Sequence, residues 1–216
     1  MKSFMKELKP NSLEDMIAGI SLYRPGPMDF IPQYIKGKND ASSISYDCPQ
    51  LEPILNSTYG CIVYQEQVMQ IVRDLAGYSL GRSDLFEARH VKRKKGEEMK
   101  RERQIFLYGD EASGIPGCVK NGIDEQVANK IYDEMLDFAN YAFNKSHAAA
   151  YAVVAYQTAW LKYYYPVEYM AALMTSVIDN PSKVAEYIYA SRQMGIQILL
   201  LTLITEKRIF RLTKGI

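Results

Sequence analysis

The chain has 216 residues, of which 48% are hydrophobic and 24% charged, with a formal net charge of +1; this is the composition of an ordinary globular protein of one or two domains. It excludes a disordered tail, a collagen-like fibre and a small disulfide-stapled domain. The sequence has no apolar run of ~18 residues, no CxxC pair among its three cysteines and no apolar signal-peptide core. We therefore expect no membrane span, no disulfide framework and a reduced, cytoplasmic protein.

The first sixty residues predict one short helix followed by irregular chain. The helix is capped by Asn11 or Ser12, has two acidic residues in its first turn and is stopped by the Pro-Gly-Pro sequence at 25–27. Residues 28–60 are rich in Pro, Gly, Asn, Ser and Asp, which predicts loops with at most brief helices.

The middle of the chain predicts two helices and a loop. Apolar residues recur at helical spacing from Ile62 to Leu75, ahead of Gly77, which predicts an amphipathic helix. Residues 83–108 form a second, highly charged helical stretch, and the glycine-rich segment 109–122 predicts a loop.

The last third is also predicted to be helical. A helix begins at Asp124, an Ala-, Tyr- and Leu-rich helical segment runs over 146–176 with an interruption at Pro166, and a further helix begins after Pro181. The apolar residues near one face of the first of these helices are Val127, Ile131, Met135 and Phe138. The strand-like segments are 59–64 and 196–204. The predicted fold class is therefore mainly α, with long Pro/Gly-rich loops and little β structure.

Charge is distributed unevenly along the chain. Between Arg82 and Arg103 there are nine basic and five acidic residues, a local charge of +4, whereas the rest of the chain carries −3. The centre of this stretch is a run of four basic residues at 92–95. Such a run indicates either a local contact with nucleic acid or phosphate or a solvated helix face, and charge alone leaves both open.

The segment from Asn144 to His147 precedes an alanine-rich helix. Asn144 or Ser146 can cap that helix, which brings free backbone N–H groups and the positive end of the helix dipole beside Lys145 and His147. Such an arrangement suits a phosphate, and the lysine adds a point charge. The structural alternative is an ordinary N-cap with Lys145 in solvent and His147 in a polar niche.

Two other clusters are polar or aromatic. Gln65, Glu66 and Gln67 could hydrogen-bond a base or a neighbouring loop, but a carboxylate without a second one is poor evidence for acid–base or two-metal chemistry, so we favour a structural role. Trp160 and the three tyrosines at 163–165 could stack on bases. At helical spacing beside Ala and Leu, however, we expect them in the core and at its rim.

No pattern of catalytic residues is present in the sequence. It has no GxSxG, Walker A or HExxH motif and only two histidines, His90 and His147. It also has no Asp-x-Asp pair, although the two-metal mechanism of a polymerase or nuclease requires paired carboxylates. We therefore expect neither a catalytic residue nor a metal site in this chain.

Four segments together resemble, in family order, the bacterial replicative DNA polymerase III alpha subunit. They are Ser21–Met28 (SLYRPGPM), Tyr59–Met69 (YGCIVYQEQVM), Tyr141–Tyr151 (YAFNKSHAAAY) and Tyr156–Lys162 (YQTAWLK). The likeness covers about residues 1–199. Four long motifs in the family's order make coincidence a poor explanation.

The resemblance implies a domain organisation and partners. Residues 1–40 would lead from the palm into the fingers, and residues 41–199 would form an irregular, helical fingers domain that closes over the incoming deoxynucleotide. The implied partners are the DNA primer–template, dNTP and other parts of the polymerase III holoenzyme, with no membrane. The chain itself would hold no cofactor, because Mg²⁺ in the parent enzyme is bound by palm aspartates outside it.

The resemblance also implies a single group of phosphate-binding residues. This group combines the basic stretch around 92–95 with the helix start at 144–147. The basic helix after Gly81 would face the triphosphate, and the segment 144–147 would lie near it. The implied nucleotide- and phosphate-binding residues are Arg82, Arg89, Lys92, Arg93, Lys94, Asn144, Lys145, Ser146 and His147.

The chain departs from the family pattern in two places. A pair of arginines that the family has shortly after Leu85 is replaced by Glu87 and Ala88, and residues 200–216 replace an expected Pro-Asp-Ile-Asn segment. Plausible codons for both stretches contain the family sequence in a shifted frame. We therefore hypothesise compensating frameshifts near 86–91 and an out-of-frame tail over 200–216.

The sequence leads to one main functional expectation and two alternatives. The chain is expected to be a fingers-domain fragment of a replicative DNA polymerase that binds dNTP and template but does not polymerise alone. The alternatives are a stand-alone, non-enzymatic helical protein that binds nucleic acid or regulates, and the inactive product of a frameshifted gene.

Overall fold

The computed structural model describes residues 1–91, 96–139 and 141–198. In this part the chain is mainly α-helical, as predicted, with eleven α-helices joined by loops and short 3-10 turns. In chain order the α-helices are α1 (Lys2–Leu8), α2 (Leu13–Leu22), α3 (Ile31–Asn39), α4 (Glu52–Leu55), α5 (Gln65–Ala76), α6 (Leu80–Val91), α7 (Gly96–Tyr108), α8 (Glu125–Ala139), α9 (Lys145–Tyr164), α10 (Pro166–Ser176) and α11 (Pro181–Gln193).

The first sixty residues hold more helix than the sequence predicts. Helix α2 is confirmed, and its cap is Ser12, whose side chain accepts from the backbone N–H of Asp15 at 3.1 Å. Helix α1 was not predicted, and α3 is nine residues long in a region expected to be irregular. Pro32 lies in the first turn of α3, where a proline needs no hydrogen bond, so it begins this helix instead of breaking it.

Helix α5 begins three residues later than its apolar pattern suggests. The side-chain oxygen of Gln67 accepts from the backbone N–H groups of Val63 and Tyr64 at 2.8 and 3.0 Å, and this holds the preceding residues in an extended conformation. The helix ends at Gly77, which adopts the left-handed conformation (φ 79°). The strand-like pattern at 59–64 corresponds here to a short extended segment with one isolated bridge, from Tyr64 to Phe143.

The charged stretch predicted over 83–108 lies in α6 and α7, and residues 92–95 between them are outside the described part. The glycine-rich loop and the helix after it are confirmed. Asp124 caps α8 by accepting from the backbone N–H groups of Gln126 and Val127 at 2.8 and 3.2 Å.

The predicted break at Pro166 separates α9 from α10, and the predicted helix after Pro181 is α11. Asn180 caps α11 through a 3.1 Å hydrogen bond from the backbone N–H of Lys183. Most of the second strand-like segment, 199–204, lies outside the described residues.

The chain divides into two compact units, Met1–Ala152 and Val153–Ile216. The first has two apolar clusters. One joins residues of α5, α7 and α8, among them Val72, Leu75, Phe106, Ile131 and Tyr132. The other surrounds α2, with Leu8, Ile17, Leu22, Tyr34 and Ala148. The second unit has a small cluster of Val167, Met170, Met174 and Ile196. No helix in the described ranges has the length and apolar content needed to cross a bilayer.

The aromatic residues at the end of α9 are exposed, which corrects the expectation that they belong to the core. Trp160 is 41% exposed, and the tyrosines at 163, 164 and 165 are 77%, 58% and 49% exposed. They pack mainly on each other, with the Trp160 and Tyr164 ring centroids 4.9 Å apart. Helix α9 carries apolar residues all around its axis, so neighbours on one side cannot bury them all.

Candidate functional site

Two of the motif segments, 59–69 and 141–151, lie side by side in the structure. The backbone N–H of Phe143 donates to the carbonyl of Val63 at 3.2 Å, and that of Gln65 donates to the carbonyl of Phe143 at 3.1 Å. These two hydrogen bonds form a parallel bridge that fixes the register between segments about eighty residues apart in sequence. The bridge brings the start of α5 next to the start of α9.

The motif segment 21–28 joins them through Arg24. Its Nε donates to the carbonyl of Ser21 at 3.2 Å, and its Nη2 donates to the carbonyl of Tyr141. The guanidinium carbon lies 4.6 Å from the centroid of the Phe143 ring, a cation–π contact. Partial burial lowers the pKa of Arg24, which remains a cation at neutral pH. Three of the four motif segments therefore meet at residues 141–147.

The cap of α9 is Asn144. Its side-chain oxygen accepts from the backbone N–H of His147 at 2.9 Å and from the hydroxyl of Ser146 at 2.6 Å. The backbone N–H of Lys145 donates to both carboxylate oxygens of Glu66, each at 3.0 Å. In this structure a carboxylate of the protein itself occupies the position at which the sequence analysis expects an external anion.

Lys145 and His147 make further contacts through their side chains. The ammonium of Lys145 lies 3.0 Å from a carboxylate oxygen of Glu14 and 5.2 Å from the centre of the Tyr64 ring. The imidazole of the exposed His147 is placed between the rings of Phe143 and Tyr151, with centroid distances of 5.6 and 4.8 Å. Both side chains are thus held at the start of α9 with part of their surface open to solvent.

The polar side chains at the start of α5 have the structural role that the sequence favours. In addition to its backbone contacts, Gln67 donates through its amide nitrogen to the carbonyl of Ile54 at 3.2 Å and to the hydroxyl of Thr58 at 2.8 Å. Glu66 accepts from the backbone N–H of Lys145, the first residue of α9, so its hydrogen bond too lies within the protein.

The basic residues of the predicted phosphate site are only partly within the described structure. The guanidinium of Arg82 donates to both carboxylate oxygens of Glu102 at 2.7 Å, and the hydroxyl of Tyr78 donates to the same carboxylate at 3.0 Å. The side chain of Arg89 and the residues Lys92, Arg93 and Lys94 lie outside the described part. Their contact with phosphate therefore stays a prediction.

Three residues that build this junction carry no sequence signal for their contacts: Arg24, Glu14 and Glu66. Each acts on a segment far away in sequence, so periodicity and capping patterns carry no signal for these contacts. Within the described residues, no group of three or more His, Cys, Asp or Glu side chains is arranged to hold a metal ion.

Comparison with known proteins confirms the family that the motifs resemble. Residues 1–114 match the model of the bacterial DNA polymerase III alpha subunit finger domain. The chain is 46% identical over 199 residues to the DNA polymerase III subunit alpha of Halalkalibacterium halodurans, which covers 92% of this chain and 17% of that relative. It is 48% identical over 204 residues to that of Thermus aquaticus, covering 92% and 16%. It is 43% identical over 213 residues to that of Borreliella burgdorferi, covering 99% and 18%.

The chain thus spans between 16% and 18% of the length of these relatives. The Borreliella alignment extends into residues 200–216, where the hypothesis of an out-of-frame tail stays open to test. A family model that covers more than half of the chain and identities of 43–48% lead to one conclusion: the chain belongs to the bacterial DNA polymerase III alpha subunit finger domain family.

Proposed function

We propose that the chain is a fingers part of a bacterial replicative DNA polymerase, acts in the cytoplasm, and binds the incoming dNTP and the template strand. The observation that carries the proposal is the meeting of three family motifs at the start of α9, in a chain whose first 114 residues match the finger domain. The palm aspartates and the Mg²⁺ of the parent reaction belong, in this proposal, to the remaining part of a longer polypeptide.

The proposed ligand contact is electrostatic. Lys145, Ser146 and His147 at the start of α9 present one cationic and two polar side chains to a phosphate, and the basic residues from Arg89 to Lys94 add further positive charge. Cations placed around a triphosphate stabilise the charge that develops during phosphoryl transfer. Closure of such a domain over a correct nucleotide would supply fidelity by induced fit.

Primer extension tests the statement that this chain lacks polymerase activity on its own. The purified 216-residue chain, a primed DNA template, all four dNTPs and Mg²⁺ are expected to yield no extension above a reaction without protein. A polymerase III alpha subunit is the positive control. Extension that rises with the amount of chain would overturn the assignment of the active centre to another segment.

Nucleotide binding tests the proposed site directly. We expect weak binding of dNTP that decreases as salt is added, because the contacts are between exposed charges. Lys145→Ala should weaken binding about tenfold, since a charged hydrogen bond contributes roughly 1.5–3 kcal/mol. Lys120→Ala, which removes an exposed lysine from the glycine-rich loop, is the matched control. Tight binding that ignores salt, or equal losses in both variants, would contradict the site.

The departure at 87–88 provides a gain-of-function test. Restoring the family's arginine pair with the double substitution Glu87→Arg/Ala88→Arg should tighten dNTP binding by tenfold or more, in line with about 1.5–3 kcal/mol for each charge-assisted hydrogen bond. The double substitution Glu98→Arg/Gln104→Arg adds the same charge of +3 at exposed positions of α7 and controls for a general electrostatic gain. Equal gains in the two double variants would argue against a specific triphosphate contact at 87–88.

The loss of that pair also favours a second candidate, a stand-alone helical protein that binds nucleic acid without catalysis. Sequencing the DNA on both sides of the coding region separates the two. An upstream frame with paired aspartates supports the polymerase fragment, whereas a complete short gene with its own ribosome-binding site supports the second candidate.

A further inference from the structure

Glu66 is placed at the start of a helix to which it does not belong. Both of its carboxylate oxygens lie 3.0 Å from the backbone nitrogen of Lys145, the first residue of α9, 79 positions along the chain. Glu66 is itself in the first turn of α5, so one side chain connects the N-termini of two helices. The first N–H groups of a helix have no partner within it, and a carboxylate is a strong acceptor for them.

Hydrogen bonds on both sides of Glu66 fix the backbone that carries this side chain. The hydrogen bonds of Phe143 with Val63 and Gln65 fix the register between the two segments. Gln67 holds the other side of the α5 start through four hydrogen bonds. Glu66 is half-buried between these contacts and thus reaches Lys145 from a rigid base.

The contact adds a second side-chain cap to α9. Asn144 takes the N–H of His147, and Glu66 takes that of Lys145, so two of the first N–H groups of α9 are satisfied by side chains. The orientation of these residues also sets where their side chains point: the Lys145 ammonium toward Glu14 and the His147 ring between Phe143 and Tyr151.

We propose that Glu66 is a positioning residue that fixes the start of α9 and thereby the directions of Lys145 and His147; the ligand-related part of this inference rests on the proposed function. Glu66 acts through the backbone of Lys145 and does not touch the nucleotide. The alternative role is inhibition of phosphate binding, because a carboxylate at a helix N-terminus also competes with an incoming phosphate for the same N–H groups. The two roles predict opposite results when the carboxylate is removed.

The test compares Glu66→Gln and Glu66→Ala in the whole 216-residue chain. The glutamine keeps an oxygen that can accept from Lys145 but has no charge, whereas the alanine has neither. Glu168→Ala removes an exposed acid from the first turn of α10 and is the control. Circular dichroism and thermal unfolding verify that each variant is folded.

Two measurements are made on each variant. The first needs no ligand: hydrogen exchange of the backbone at 144–148 and the NMR imidazole signals of His147, assigned with a His90→Gln variant because the chain has only two histidines. The second is the affinity for inorganic tripolyphosphate, used as the probe. If the unsubstituted chain does not bind tripolyphosphate, the proposed function loses its support, and the first measurement alone decides on Glu66.

A positioning role predicts that Glu66→Ala speeds exchange at Lys145, shifts the His147 signals and weakens tripolyphosphate binding about tenfold. Glu66→Gln should restore exchange protection, signals and affinity to within about twofold of the unsubstituted chain. Tighter binding in both variants would overturn the proposal in favour of competition by the carboxylate. Exchange, signals and affinity unchanged in Glu66→Ala would overturn any role for this contact.

Discussion

Gly26, in the motif segment 21–28, lies next to the ring of Tyr141 in the segment 141–147. Its φ of +95° lies in a region that residues with a side chain rarely adopt. A Cβ atom added there would be 2.4 Å from two carbon atoms of the Tyr141 ring. The absence of a side chain is thus required for both the backbone turn and the contact.

Gly26→Ala is therefore expected to lower the free energy of unfolding by about 3 kcal/mol, the combined cost of the left-handed conformation and of overpacking. Gly114→Ala is the matched control, because Gly114 also has a positive φ (+70°) but open space where a Cβ would be. Its cost should be about 1–2 kcal/mol. Urea unfolding of both variants gives the comparison, and equal costs would mean that the Tyr141 contact does not constrain the turn.

A buried carboxylate, Asp15, ties three parts of the first unit together. It is 1% exposed and accepts from the ammonium of Lys38 at 2.8 Å, from the backbone N–H of Asn11 at 3.0 Å and from the hydroxyl of Tyr59 at 3.1 Å. Burial by itself would raise the pKa of Asp15, but these hydrogen bonds and the charge of Lys38 outweigh it and hold the pKa below its usual range.

A lowered pKa makes the contribution of Asp15 pH-dependent. The ionised form stabilises the fold above the unfolded-state pKa of about 4, and this stabilisation is lost as the pH falls through the lower folded-state pKa. Asp15→Asn should cost about 3–5 kcal/mol at neutral pH, because it leaves the Lys38 ammonium buried without its partner. The difference from the unsubstituted chain should shrink in acid.

The control for this prediction is the double variant Asp15→Asn/Lys38→Met, which removes both charges and should recover part of the loss. Chemical unfolding at several pH values between neutral and about pH 3 follows both variants. A loss for Asp15→Asn that does not change with pH would show that the carboxylate stabilises through packing alone.

Among the elements, α6 and α7 form the pair that carries the basic stretch. They are joined by Arg82, in the first turn of α6, and Glu102, in the middle of α7, whose side chains are 20% and 9% exposed. Because both oxygens of Glu102 are contacted at 2.7 Å and Tyr78 adds a third hydrogen bond, the carboxylate is well satisfied in its mostly buried position.

Arg82→Met is expected to lower the free energy of unfolding by about 1.5–3 kcal/mol, since it removes two charge-assisted hydrogen bonds from a mostly buried carboxylate. The exposed pair Lys183–Glu186, at 2.7 Å on α11, is the control, and Lys183→Met should change stability far less than Arg82→Met does. Thermal unfolding measures both. A small effect at Arg82 would indicate that it is free to leave Glu102 for a phosphate, as the resemblance implies.

The start or end of a helix was predictable where it depends on neighbouring residues. It was not predictable where a residue further along the chain determines it. The Ser12 cap, the Gly77 stop, the Asp124 cap and the break at Pro166 follow from sequence because each depends on one or two neighbouring residues. The start of α5 does not, because Gln67 reaches back to hold residues whose apolar spacing looks helical.

The candidate site shows the same division. The cap by Asn144, one of the two residues that the sequence offers for it, is local, whereas Arg24, Glu14 and Glu66 reach this helix start across the fold. The motifs that carry the family resemblance indicate which segments matter. The contacts between a side chain of one segment and a backbone group of another follow only from the register of the two segments in the folded protein.

At the scale of the whole molecule, the described residues of the two units differ in how much apolar surface they bury. Among them, the first unit has two clusters of buried side chains, whereas the second has one small cluster and several exposed aromatic residues. The relatives are several times longer than this chain, so they have ample additional chain that can cover such a surface. The first unit is therefore the part for which folding in solution can be tested most directly.

The three cysteines provide that test, because Cys48, Cys61 and Cys118 are all buried in the first unit. Burial raises the pKa of Cys61 and of Cys118 to about 12, and it also raises that of Cys48. Only the thiolate attacks a disulfide reagent, and at about pH 8 a pKa of about 12 leaves roughly one thiol in ten thousand ionised.

A folded first unit should therefore react with Ellman's reagent far more slowly than model thiols do. The same chain in concentrated guanidinium chloride should titrate all three cysteines at once. Rapid reaction without denaturant would mean that the two apolar clusters of the described residues do not form in solution, and the contacts at the start of α9 would then need a further partner to assemble.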